Sequence, residues 1–174
     1  RMRRLYTRAQ YLGVVRRLRE AIPDVALSTD LIVGFPGETE EDHRATLDLL
    51  REVGYDSVFA FCYSPRPHTP AAEYPDQLPE PLKRRRLAEV FALQAAIGLE
   101  KNRARIGRVE EVLIERGPSE KEESLASGRT RQNKWVHFPV DRPMIGDYII
   151  ARITDGYSYY LKGKCYKEHH GVSP

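Results

Sequence analysis

Three short stretches of this 174-residue sequence bring together residue types that could do chemistry. The first is Leu31-Ile32-Val33-Gly34-Phe35-Pro36-Gly37-Glu38, an apolar run that breaks into glycine and proline. Glycine lets the backbone turn sharply and lets a ligand approach a strand end. In parallel α/β folds ligands collect at the carboxyl ends of strands, where this turn would fall. A phosphate cradle is the obvious reading, but Glu38, Glu40, Glu41 and Asp42 crowd the start of the next helix. They already complement its dipole and would repel a phosphate a few ångströms away. A neutral or cationic ligand suits the turn better; a plain structural turn is the other reading.

The second stretch, Tyr63-Ser64-Pro65-Arg66-Pro67-His68-Thr69-Pro70-Ala71-Ala72, follows the next apolar run and offers Arg66 as a ligand clamp or as a surface residue. The third runs from Ser127 to Phe138 and interleaves Arg129, Arg131, Asn133 and Lys134 with Trp135, His137 and Phe138. Cations can track phosphates, and an aromatic face can stack an unpaired base. Strand alternation puts Trp135 and Phe138 on opposite faces, so one ring is expected in the core. Tyr157, Tyr159 and Tyr160 add aromatic surface. RNA binding is the favoured reading of this stretch.

No metal site is predicted. His43, His68, His137, His169 and His170 lack ligand spacing, and Cys62 and Cys165 are expected as free thiols rather than a disulfide. Two cysteines build no three- or four-cysteine site, so an iron–sulfur cluster would need ligands from elsewhere.

The elements that must hold these stretches follow from periodicity. Thr7 and Gln10 form a capping box before Leu12, Val15, Leu18 and Ile22, and Pro23 stops that helix. Val25 to Val33 reads as a strand buried on both faces. Thr39 caps a helix ending at Gly54, and Ser57 to Tyr63 reads as a second buried strand. The order α-β-α-β implies parallel strands with helical crossovers. Two such strands leave edges and faces open, so either a second copy or upstream strands are expected to complete the sheet. Residues 64–81 are a proline-rich loop or linker, and a helix from about Pro81 to about Arg105 shows Leu87, Val90, Phe91 and Ile97 within one face.

From Ile106 the period changes to two. Short strands are predicted at Val109–Glu115, Ser127–Thr130, Lys134–Phe138, Tyr148–Ile153 and Ser158–Gly163, an OB-like antiparallel barrel with a mobile loop over 118–124. The expected organisation is therefore α/β over residues 1–105, a small all-β barrel over 106–168 and a tail over 169–174.

Apolar residues at 41% and charged residues at 30% exclude a disordered chain, and no apolar run spans a bilayer. No apolar h-region follows Arg1-Met2-Arg3-Arg4, so a cytoplasmic location is expected. The start without Met, directly before a helical pattern, reads as a fragment of a longer protein. A net charge of +3 is weak, but Lys83-Arg84-Arg85-Arg86 forms a basic run that reads as a solvated face or a local patch.

Met2-Arg3-Arg4-Leu5-Tyr6-Thr7, Thr29-Asp30-Leu31-Ile32-Val33-Gly34-Phe35-Pro36-Gly37-Glu38-Thr39, Tyr63-Ser64-Pro65-Arg66, Thr69-Pro70-Ala71-Ala72 and Gly128-Arg129-Thr130 stand in the order found in the radical-SAM methylthiotransferases, and the chain resembles that family over nearly its whole length. The resemblance implies the last part of a TIM-like radical-SAM α/β barrel followed by an RNA-binding TRAM barrel. Ser127 to Phe138 looks most like the tRNA-modifying branch, which adds a methylthio group to C2 of a dimethylallyl-adenosine beside the anticodon. A branch acting on a ribosomal-protein aspartate and a non-catalytic RNA-binding module are the alternatives. By resemblance, Ile32, Val33, Gly34, Phe35, Gly37, Glu38 and Arg66 would wall S-adenosylmethionine. Arg129, Arg131, Asn133, Lys134 and Trp135 would contact the tRNA anticodon stem-loop. Members carry two [4Fe-4S] clusters, one on a CxxxCxxC motif absent here, so this chain alone is expected to be inactive; the exposed strand edges of the truncated barrel leave self-association open to it. His68 stands where the family usually has Gly.

Overall fold

In the computed structural model, residues 1–117, 125–139 and 144–168 are described. The loop expected over 118–124 and the tail over 169–174 lie outside them. The chain divides into two compact units, Arg1–Gln94 and Ala95–Pro174.

The first unit contains α1 (Arg8–Ala21), β1 (Ser28–Val33), α2 (Glu40–Val53), β2 (Ser57–Cys62), a 3₁₀ turn (Pro70–Glu73) and the first part of α3 (Glu80–Arg103). Both predicted caps are present. Thr7 and Gln10 close a capping box on α1, Thr39 and Asp42 close one on α2, and Gly54 ends α2 at φ 57°. β1 and β2 pair in parallel from Ser28↔Ser57 to Val33↔Cys62.

The strands are not buried on both faces as predicted. Val33 and Ala60 face inward, while Ile32 (38%), Phe59 (56%) and Phe61 (59%) are exposed. One face packs on the core with Leu50, Val53, Tyr55 and Val90; on the other, Ile32 and Phe59 line an open cavity with Met2, Arg4 and Tyr6. The apolar run is real, but its alternate residues stay partly open to solvent.

In the second unit five strands close a barrel in the order β3-β4-β5-β7-β6: β3 (Val109–Arg116), β4 (Leu125–Thr130), β5 (Trp135–Pro139), β6 (Tyr148–Gly156) and β7 (Leu161–Glu168). Numbered from one, this is the 1-2-3-5-4 ring of an OB-like barrel. Four pairings are antiparallel, and β5·β7 is parallel, so the barrel is mixed rather than wholly antiparallel. The last strand starts three residues later than periodicity predicts. Tyr157 N–H donates to the Tyr160 carbonyl (2.9 Å), which makes Ser158 to Tyr160 a turn. The core is Val112, Ile114, Ala126, Val136, Phe138, Ile149, Ala151, Ile153 and Leu161. Of the Trp135 and Phe138 pair, Phe138 is the buried ring.

The buried stripe of α3 differs from the apolar face predicted for it. Lys83, Arg86, Val90, Gln94, Gly98 and Asn102 are buried, while Phe91 is 41% exposed. Polar members of the stripe donate to backbone carbonyls within their own units: Lys83 to Tyr63 (3.1 Å), Arg86 to Glu38 (2.9 Å), Gln94 to Tyr55 (3.0 Å) and Asn102 to Tyr157 (2.6 Å). Buried donors satisfied in this way fix the elements they bridge instead of costing stability.

Candidate functional site

The glycine-proline turn joins β1 to α2. Gly34 (φ 73°) and Gly37 (φ 78°) occupy the left-handed region that favours glycine. The space at both is taken by protein: a β-carbon on Gly34 would strike the Lys83 stem, and one on Gly37 would strike the Arg1–Asp76 pair. These glycines therefore admit α3 and the N-terminal segment, not the close ligand approach predicted for them. Glu38 folds back. Its carboxylate accepts from Gly34 N–H and pairs with Arg86 (3.2 Å), and Glu38 N–H donates to the Phe35 carbonyl (2.9 Å). His43, fully buried, bonds Glu89 (2.8 Å) through Nε2 and stands 3.9 Å from Glu38 through Nδ1.

Two members of the basic run are thus the clamp of the turn. Lys83 (3% exposed) and Arg86 (2%) are buried, which a solvated-face reading misses. The signal was the spacing Lys83, Arg86, Val90, Gln94, a helical stripe whose polar members hydropathy assigns to solvent.

The acids at the start of α2 are compensated. Glu40 lies below its ordinary value: burial opposes ionisation, and Arg85 and Arg86 outweigh it. Hydrogen bonds from the Thr39 backbone and hydroxyl hold Asp42 down as well. The N-terminus of α2 is therefore filled by its own carboxylate, which keeps phosphate away from this turn more directly than repulsion does.

Beside the turn lies a cavity of about 750 Å³ whose walls include Ile32, Phe35, Gly37 and Glu38. Phe35 meets Tyr63 (5.2 Å) and Tyr74 (6.2 Å) edge-on. Of the other predicted wall residues, Val33 is fully buried, Gly34 is covered by Lys83, and Arg66 is exposed and does not line the cavity. Arg66 instead caps a turn with its carbonyl, which accepts from Thr69 N–H (3.3 Å) and hydroxyl (2.8 Å).

In the second unit, β4 and β5 bring Arg129, Asn133 and Trp135 together. Arg129 donates to Asn133 (2.6 Å) and pairs with Glu115 (3.5 Å). The Trp135 ring carries two guanidinium groups, Arg129 at 4.5 Å and Arg116 at 4.9 Å from its centroid. The Arg131 side chain is 78% exposed and pairs with Glu111 (3.0 Å). Lys134 is buried at 8% and is not presented outward, a correction to the predicted contact set. A groove of about 430 Å³ runs between Arg129, Arg131, Asn133 and the acids Glu111 and Glu115. As built it is neutral, two guanidiniums against two carboxylates.

The open aromatic surface lies on the β6–β7 turn and β5. Tyr157 stacks on Tyr160 (4.5 Å, 16°), Tyr160 meets His137 edge-on (5.0 Å), Lys162 Nζ sits 5.4 Å from the Tyr157 ring, and Tyr159 is 68% exposed. Asn102 fixes this turn through the Tyr157 carbonyl, and a β-carbon on Gly98 would collide with Ser158. His137 is the member that sequence spacing did not connect to the tyrosines.

Residues 103–165 match the TRAM domain. The chain is 48% identical over 162 residues to a tRNA-2-methylthio-N(6)-dimethylallyladenosine synthase of Carboxydothermus hydrogenoformans, covering 93% of this chain and 37% of that protein. Proteins of the same name from Syntrophobacter fumaroxidans (49% over 163 residues) and Moorella thermoacetica (48% over 163 residues) each match 94% of this chain and 36% of their own length. Over nearly its whole length the chain is similar to one part of these synthases, and its barrel matches the TRAM domain. It spans little more than a third of the length of these relatives. The similarity runs through both the α/β unit and the TRAM barrel.

Proposed function

We propose that this chain is part of a tRNA-modifying methylthiotransferase that adds a methylthio group to C2 of a dimethylallyl-adenosine beside the anticodon, in the cytoplasm. The TRAM barrel grips the anticodon stem-loop, and the first unit contributes part of the cofactor wall. The observation that carries the reading is a closed barrel that matches the TRAM domain and displays Arg131, Tyr157, Tyr159 and Lys162 outward.

The cavity beside the turn suits the adenosyl part of S-adenosylmethionine. Its 750 Å³ lies within the roughly 300–1,000 Å³ of small-molecule sites, with Ile32 and Phe35 as an apolar wall. When bound, that cofactor supplies the radical and methyl chemistry of the family. The role of this chain's residues is to hold the wall still: Lys83 and Arg86 fix the turn, and Glu38 is spent on that clamp rather than on the ligand. The residues present do not fit a [4Fe-4S] cluster. The sequence holds two cysteines, and the described residues contain no group of three metal-ligating side chains. Cluster ligands therefore belong to residues other than these.

RNA must displace carboxylates from the groove, because exposed ion pairs are worth little and exchange readily. The test is binding of the purified chain to a labelled stem-loop RNA with an unpaired loop. The triple variant Arg129→Gln, Arg131→Gln, Tyr159→Ala is expected to bind at least tenfold more weakly, since one lost base stack alone removes about 1–3 kcal/mol. Unchanged affinity overturns the assignment of this face.

A further inference from the structure

Glu38, Arg86, Glu40, Arg85, Glu89 and His43 form a ring of side chains. Arg86 meets Glu38 (3.2 Å) and Glu40 (3.4 Å), and Arg85 meets Glu40 (2.9 Å) and Glu89 (3.4 Å). His43 meets Glu89 (2.8 Å) and returns to Glu38 at 3.9 Å. Acid and base alternate around the ring, and it ties together the β1–α2 turn (Glu38), α2 (Glu40 and His43) and α3 (Arg85, Arg86 and Glu89). Three carboxylates against two guanidiniums leave one negative charge unless His43 is charged. The neighbouring charges on α2 are occupied elsewhere: Asp42 is held by Thr39, and Arg44 acts on Glu40.

The ring is shut at every joint but one. His43 is buried, and its Nε2 lies within hydrogen-bond distance of Glu89. An ionised carboxylate only accepts, so a neutral imidazole carries its hydrogen on Nε2. Nδ1 is then a bare acceptor. It is buried, has no hydrogen-bond partner, and faces another acceptor, Glu38 Oε1. A buried polar atom left in this state is uncommon and calls for an explanation. Glu38 Oε2 already takes Gly34 N–H and Arg86, which leaves Oε1 for the open joint. The Glu89 side chain, 41% exposed, connects the imidazole to solvent protons.

We propose that His43 is a positioning residue for the β1–α2 turn: a second proton, taken from solvent onto Nδ1, makes the imidazolium a donor to Glu38 Oε1, closes the ring and locks the carboxylate that fastens Gly34. An N–H···O bond spans about 2.7–3.2 Å, so the joint shortens by roughly an ångström as it closes. That this movement reaches a cofactor wall rests on the reading given above. The experiment is an NMR titration of the isotope-labelled full chain over about pH 5 to 8, the span in which histidine ordinarily changes charge. Imidazole nitrogen shifts report which ring atoms carry hydrogen, and the Gly34 amide reports the Glu38 bond. The Nε2–H tautomer is expected at the alkaline end and hydrogen on both nitrogens at the acid end. The Gly34 amide is expected to move with the same midpoint as the ring, while the Gly54 amide, at the other end of α2, stays in place. In His43→Gln, which can still hydrogen-bond Glu89 but does not titrate, the Gly34 shift is expected to vanish. Hydrogen on Nδ1 at the alkaline end, an imidazole that keeps one state throughout, or a Gly34 amide that stays still or follows another midpoint overturns the proposal. So does a Gly34 shift that persists in His43→Gln. If that variant does not fold, Gly54 decides: a shift there matching that of Gly34 reads as a change of the whole helix and overturns it. None of these readouts involves cofactor or RNA, so failure here leaves the function proposed above standing, and failure of that function leaves this joint standing.

Discussion

His68 carries its β-carbon at φ 64°, the second central position of a turn that Thr69 closes back onto Arg66. With Pro67 ahead of it, this is the position where a type II turn calls for glycine. The left-handed conformation costs an L-residue about 1–2 kcal/mol, while glycine returns about 0.4–1 kcal/mol through its freer unfolded chain. His68→Gly is thus expected to raise the urea stability of the chain by about 0.5 kcal/mol; a loss would show that the imidazole makes a contact that matters. Arg86 is the opposite case. Its side chain is 3% exposed and its guanidinium holds the carboxylate of Glu38, a side chain 11% exposed. Arg86→Met leaves that carboxylate buried without its cation, expected to cost about 3 kcal/mol in a urea melt. A change below about 0.5 kcal/mol would mean that the clamp is not structural. The turn itself was readable from Gly34, Pro36 and Gly37, and its open character was not. What fills the glycine space is Lys83, nearly fifty residues away in sequence.

Among the elements, α2 was the most legible, because its caps are local: Thr39, Asp42 and Gly54 act within their own turns. α3 was the least. Apolar spacing selected Leu87, Val90, Phe91 and Ile97, but the buried stripe is largely polar and its partners are backbone carbonyls that no periodicity reveals. The same blindness affected Arg129 and Arg131. Ser124 to Val140 contains no acid, yet Glu111 and Glu115 arrive from β3 across the barrel. The β5·β7 pair was invisible for the same reason, since pairing partners depend on closure and not on alternation. Gly98 gives this scale its test. A β-carbon there meets the Ser158 backbone, so Gly98→Ala is expected to cost about 1–3 kcal/mol despite its better helix propensity. A stabilised variant would show that the helix does not pack on the β6–β7 turn so closely.

For the molecule as a whole, acid tells which charges matter. Hydrogen bonds from Thr39 lower Asp42, a bond from Arg1 lowers Asp76, and a bond from Lys83 lowers Glu80. A carboxyl lowered on folding stabilises the fold fully above its ordinary value, 3.8 for these aspartates and 4.5 for Glu80, and that contribution disappears as pH falls through the lowered value. The urea midpoint is therefore expected to hold from pH 7 to about 5 and to drop below about 4, with a shallower drop for Asp42→Ala. A midpoint that stays level to pH 3 would remove these carboxylates from the account. No helix among the described residues is long and apolar enough to cross a membrane.

The central claim is that the barrel grips RNA by its Arg131 and tyrosine face. Titrating stem-loop RNA into isotope-labelled chain, read by two-dimensional amide NMR, tests it most directly. The account predicts shifts concentrated at Arg129 to Trp135, His137 and Tyr157 to Lys162, fading as salt rises. Shifts confined to other faces of the barrel, or none at RNA concentrations that saturate binding, would contradict it.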